Sequence, residues 1–149
     1  MLDVLVVVTL VVVGVMVGVE FSVAVFVNPI LNRLPSEGCL AARGDGARVL
    51  GEAMPVWYIT STALGVVWAV LTWGQAQAPE VVWGAALLMV SVVMSVVLLV
   101  PSNSRAARWA TEGVPADWAY QMARWDRFHY VRVAVIVGAF ALFAVAGVH

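Results

Sequence analysis

Residues 5–27 read LVVVTLVVVGVMVGVEFSVAVFV, an apolar run broken only by Thr9, Ser22, two glycines and the carboxylate of Glu20. A helix crossing the hydrocarbon layer of a membrane needs about 20 mostly apolar residues, and this run meets that length. Valine is a poor helix former in water. In lipid, however, a lone strand leaves its backbone groups unpaired, whereas a helix pairs them within the segment. Comparable runs follow at about residues 56–73, 81–100 and 130–148. The expected fold is all-alpha: an integral membrane four-helix bundle forming one domain over residues 1–149. A membrane barrel is excluded, because it needs at least about eight strands of alternating polarity.

Composition points the same way. The chain is 63% hydrophobic and only 11% charged, against about a quarter charged in a soluble domain. A net charge of -1 provides no basic face for nucleic acid, and no such partner is expected. Asp3 and the length of the first run predict a retained helix instead of a cleaved targeting segment. The lone cysteine, Cys39, excludes an internal disulfide and reads as an incidental small residue in a polar loop.

Pro29 and Pro101 stand where the first and third spans are expected to stop. The glycine-rich segment from Asn32 to Glu52 reads as a polar loop. A short link from Gly74 to Glu80 predicts an antiparallel hairpin of the second and third spans. Between Ser102 and His129, Trp109, Trp118, Tyr120, Trp125 and Phe128 suit an amphipathic segment at headgroup level. Arg33, Arg43 and Arg48 lie in the first loop and Arg105, Arg108, Arg124 and Arg127 in the third. The positive-inside rule then places both loops in the cytoplasm and both termini outside, in a cell inner membrane or plasma membrane. Gly14 with Gly18, and Ser91 with Ser95, are small pairs suited to close helix packing.

Glu20 is the sharpest polar signal, because an ionisable group within a span must be paired, protonated or turned to a polar cavity. Helical spacing puts it on one face with Ala24, Val27 and Asn28. In the fourth span Trp125, His129 and Arg132 share another face. Arg132 lies about as far from the predicted cytoplasmic side as Glu20, so an ion pair between helices one and four is expected. Such a pair can simply fix helix register. Alternatively it can belong to a site in which His129 exchanges a proton while Asn28, Asn103 and Trp125 bind a substrate in an adjoining cavity. Glu20 and His129 supply only two metal ligands, and no phosphate loop, dinucleotide fingerprint or haem-attachment motif occurs. No metal and no cofactor is expected.

Three motifs in order, Asn28-Pro29 ending the first helix, Pro101-Ser102-Asn103 after the third, and Trp125 through Arg132 leading into the fourth, give the whole chain a resemblance. It resembles the anthrone oxygenase-like family of small four-helix membrane proteins. The resemblance implies oxygen insertion into an electron-rich polycyclic anthrone to give an anthraquinone, without a recognised flavin or haem. It carries over Asn28, Asn103, His129 and Arg132 as site positions. His129 departs from the family pattern, in which asparagine-type polarity is expected before the arginine. The function expected is thus a cofactor-independent oxygenase or redox enzyme acting on an amphiphilic aromatic or quinol-like molecule at the cytoplasmic interface. Glu20 or His129 is the base, and Arg132 stabilises the oxyanion. Two other classes fit the same composition: an accessory subunit of a larger membrane complex, and a small-molecule transporter working as a homo-oligomer. Membrane lipid is a partner in every case.

Overall fold

The computed structural model describes residues 1–148, with side chains throughout except at 103, 106, 107, 110 and 111. His149 lies outside the described residues. Among the described residues the fold is all-helical, and four helices are long and apolar enough to span a membrane. These are α1 (Leu2–Leu31), α2 (Ser36–Leu71), α3 (Ala78–Met94, with its apolar stretch continuing to Ser102) and α5 (Trp118–Ala146). A shorter α4 (Val100–Glu112) prolongs α3 beyond the apolar stretch. The helices form a ring in which α1 packs on α2 and α5, and α3 packs on the same two. Between 22% and 33% of each apolar window is buried inside the bundle. The outward valines, such as Val7, Val11, Val70 and Val96, are exposed on the bundle surface and suit lipid as their solvent.

Neither proline stops its helix. Pro29 and Pro101 lack an N–H, and their rings would oppose the carbonyls of Val25 and Val97, four residues back. Both carbonyls fall in a π-helical turn, Val23–Val27 in α1 and Ser95–Leu99 between α3 and α4. There the hydrogen bonds run five residues back, from Asn28 to Val23 and from Val100 to Ser95. The wider turn takes an extra residue, relieves the clash and lets the helix continue. It also rotates the remainder of the helix: Glu20, Ala24 and Asn28 are buried, whereas Val27 is 40% exposed. The face expected to hold all four loses Val27.

The polar segment from Asn32 to Glu52 is not a loop. After a short turn, Pro35 precedes the first residue of α2, and the helix runs from Ser36 through Pro55 to Leu71. Each internal glycine costs about 1 kcal/mol relative to alanine, which explains the sequence expectation. Burial of Cys39 and the contact of Arg43 with α5 offset that cost. Cys39 is thus buried on a helix and does not sit in a loop. The expected interfacial segment likewise splits into α4, a break at Gly113 with φ +90°, and the first turns of α5.

Away from the polar end, the core is built on Phe143. Its ring stacks on Trp68 at 5.6 Å. It fills the space where a β-carbon on Gly65 would approach to 2.8 Å and one on Gly84 to 3.0 Å. Gly14 faces the ring of Phe140 and nothing approaches the Gly18 position within 4 Å, so that pair is not a close helix seam.

Candidate functional site

The buried face of α5 changes character along its length. Ile136, Ala139, Phe143 and Ala146 form the apolar core, whereas Asp126, His129 and Arg132 continue the same stripe with polar groups. Spacings of three and four residues keep all of them on one side of the helix. Two polar clusters result.

The deeper one joins α1, α2, α3 and α5. Arg132 Nη2 donates to Glu20 Oε2 at 2.5 Å, and Nη1 donates to Ser95 Oγ at 2.9 Å. Its guanidinium lies over the Tyr58 ring, 5.1 Å from the centroid, a favourable cation–π geometry. Glu20, His129 and Arg132 are 5%, 1% and 7% exposed. Nδ1 of His129 lies 3.2 Å from Arg132 Nη2. Arginine can only donate, so that nitrogen accepts, and the proton of a neutral imidazole resides on Nε2. Nε2 is 3.6 Å from Glu20 Oε2, too far for a formed hydrogen bond. Trp125 stacks on the His129 ring at 4.8 Å and 20°, half-buried at the outer edge of the cluster. The two π turns bracket this site. Glu20 lies three residues before the first, and Ser95 opens the second.

Several polar atoms here lack a hydrogen-bond partner among the described residues: His129 Nε2, Arg132 Nε, Tyr58 Oη, Ser91 Oγ and Trp125 Nε1. The Tyr58 hydroxyl is close enough to Glu20 and Ser91 to interact with both, but it closes no bond of standard geometry. An unpaired buried polar group costs about 1–3 kcal/mol.

The outer cluster fills both oxygens of its carboxylate, and among the described residues only Arg43 Nε in it has no partner. Arg43 of α2 grips Asp126 through Nη1 to Oδ1 at 3.0 Å and Nη2 to Oδ2 at 2.8 Å. Asn28 donates to Oδ1 at 3.2 Å and Asn32 to Oδ2 at 3.1 Å. The Asn32 side-chain oxygen accepts from Arg43 at 2.7 Å. Asn28 is therefore engaged by Asp126 and does not line an opening beside Glu20. The side chain of Asn103, on α4, is outside the described residues. The cavities described, about 470 and 190 Å³, lie elsewhere, between α4 and the start of α5, and both are lined by Arg105 and Gln121. No three of His, Cys, Asp and Glu come together as a metal centre requires among the described residues.

The family model of the anthrone oxygenases matches residues 50–142, more than half of the chain. The chain belongs to the anthrone oxygenase family. No curated protein and no solved structure matches it. The portion shared with the anthrone oxygenases contains Tyr58, Ser91, Ser95, Trp125, Asp126, His129 and Arg132. Glu20, Asn28, Asn32 and Arg43 precede it. Reading the sequence alone missed Tyr58, Ser95, Arg43, Asn32 and Asp126. Asp126 did carry a signal, three residues ahead of His129 on the same face.

Proposed function

We propose that this protein is an oxygenase that needs no flavin or haem and acts on an amphiphilic aromatic ketone, of which anthrone is the simplest probe. The reading rests on one observation: a buried carboxylate, a histidine and an arginine meet in one cluster that also carries polar atoms with no hydrogen-bond partner among the described residues. Such a site handles proton removal without changing its net charge. Glu20, ionised and paired with Arg132, takes a proton from the methylene group opposite the substrate carbonyl. The substrate thereby becomes an oxyanion as Glu20 becomes neutral, and Arg132 exchanges one anionic partner for the other. A charge appearing alone in so apolar a place would cost several kcal/mol, and the exchange avoids that cost. His129 Nε2–H is a second donor for the oxyanion, and Trp125 offers a flat face for the ring.

Dioxygen then adds to the carbanion carbon, giving a peroxide anion that recovers the proton from Glu20. The hydroperoxide loses water to become the quinone. Arginine placement supports an orientation with this site near the cytoplasmic face and both termini outside, a placement that tag accessibility tests directly. The activity is tested by oxygen uptake of purified protein with anthrone. Replacing both Glu20→Gln and His129→Ala is expected to reduce uptake at least about 100-fold, the range of a lost general base. Equal uptake by this double variant and the unaltered protein overturns the reading.

A further inference from the structure

Tyr58 packs its ring beneath Arg132 and against the core, and the ring alone accomplishes both tasks. Phenylalanine would do the same without burying a hydroxyl. Yet Tyr58 is 5% exposed, and its oxygen makes no hydrogen bond among the described residues. Ser91 Oγ, fully buried on α3, is in the same condition. The two hydroxyls lie near each other across the α2–α3 contact, and that of Tyr58 also lies near Glu20, without closing a bond of standard geometry. Burying two hydroxyls without a well-formed hydrogen bond is unfavourable, and that of Tyr58 adjoins the Glu20–Arg132 pair. Donors arranged this way suit a small oxygen ligand beside the carboxylate.

We infer that Tyr58, assisted by Ser91, receives the outer oxygen of the substrate hydroperoxide and protonates it as it leaves. This rests on the oxygenase reading above and assigns the step after oxygen addition. Glu20, ionised again after protonating the peroxide, removes the remaining hydrogen on the oxygenated carbon as a proton. The C–H electron pair becomes the second bond of the new carbonyl. The O–O bond breaks, its electrons go to the outer oxygen, and that oxygen takes the Tyr58 proton to leave as water. Glu20 then returns its proton to the Tyr58 phenolate. The hydroperoxide is the oxidant, the carbon is oxidised, and both side chains end as they began. Arg132, held over the Tyr58 ring, stabilises the transient phenolate.

Tyr58→Phe keeps the ring, and with it the cation–π contact, while removing only the hydroxyl. With anthrone as probe, oxygen uptake, quinone absorbance and organic peroxide are measured together on the purified full chain. Quinone formed per oxygen consumed is expected to fall at least about tenfold, with organic peroxide accumulating in its place. Quinone still formed one for one with oxygen, without peroxide, overturns the assignment of Tyr58 and leaves the oxygenase reading standing. Lost uptake without peroxide in the variant also overturns it. No uptake by the unaltered protein overturns both. If Tyr58→Phe does not fold, Ser91→Ala provides the same readout: a smaller peroxide build-up supports the inference, and fully coupled quinone formation refutes it.

Discussion

Two arginine–carboxylate pairs lie along one face of α5, and they differ in what surrounds them. At Asp126 both carboxylate oxygens are filled, by Arg43, Asn28 and Asn32. At Glu20 the arginine divides itself among a carboxylate, a serine and an imidazole, and five polar atoms of the cluster have no hydrogen-bond partner among the described residues. Six residues separate Asp126 from Arg132, about 9 Å along the helix. The outer pair, with only Arg43 Nε unpartnered among the described residues, has the satisfied carboxylate of a structural tie, joining α2 to α5 through a segment rich in glycine. The inner pair has the unmet hydrogen bonding of a site that takes something in. A buried pair is thus uninformative by charge alone; its unfilled bonds distinguish the two.

The largest expected effect breaks the inner pair. Glu20→Gln retains the shape and an acceptor for Arg132 but removes the base. Oxygen uptake with anthrone should fall about 10²–10⁴-fold while the protein still purifies as a folded species. At the outer pair, Asp126→Ala leaves Arg43 buried without its carboxylate and should cost about 3–5 kcal/mol of stability, measured by unfolding in detergent. Replacing both partners there, Arg43→Met with Asp126→Leu, should recover most of that loss. The same apolar exchange of Glu20 and Arg132 should recover stability but no activity. Activity surviving the inner exchange would make the two pairs equivalent and the comparison empty.

Legibility in the sequence followed the physical cost of each feature. The four spans stand out because lipid tolerates only long apolar helices. Glu20 and Arg132 stand out because a charge within such a run demands a reason, and the structure brings them together. Arg43 and Asp126 carried no such alarm, since each lies among polar residues. The glycines around Arg43 masked a helix held by tertiary contact. The prolines were misleading for a different reason: a π turn is a response to local crowding, and the valines that form it look like any other part of the span.

A smaller effect tests the assignment of Asn28. Its amide donates to one oxygen of Asp126, so Asn28→Ala should lower stability by about 1.5–3 kcal/mol, as for hydrogen bonds to charged groups. Because that amide is engaged by Asp126, the Michaelis constant for anthrone should stay within about twofold. A rise in that constant with stability unchanged would return Asn28 to the substrate side and loosen the division between the clusters.

The smallest effect comes from the same helix as Arg43. Arg48 lies one and a half turns further along α2 and pairs with Asp45 at 3.7 Å, with both side chains largely exposed. Each charge keeps its water, and holding two mobile side chains together offsets the weak attraction, so Arg48→Ala should change stability by less than about 0.5 kcal/mol. Any small change should vanish as salt is raised and the Debye length shortens. The loss at Asp126 should persist under the same salt, because its partners exclude solvent. Measuring both variants across a salt series separates the tie from a general need for positive charge on this segment. Equal, salt-sensitive losses at Asp126 and Arg48 would mean that charge at the membrane surface, not the closed hydrogen-bonded cluster, holds α2 against α5.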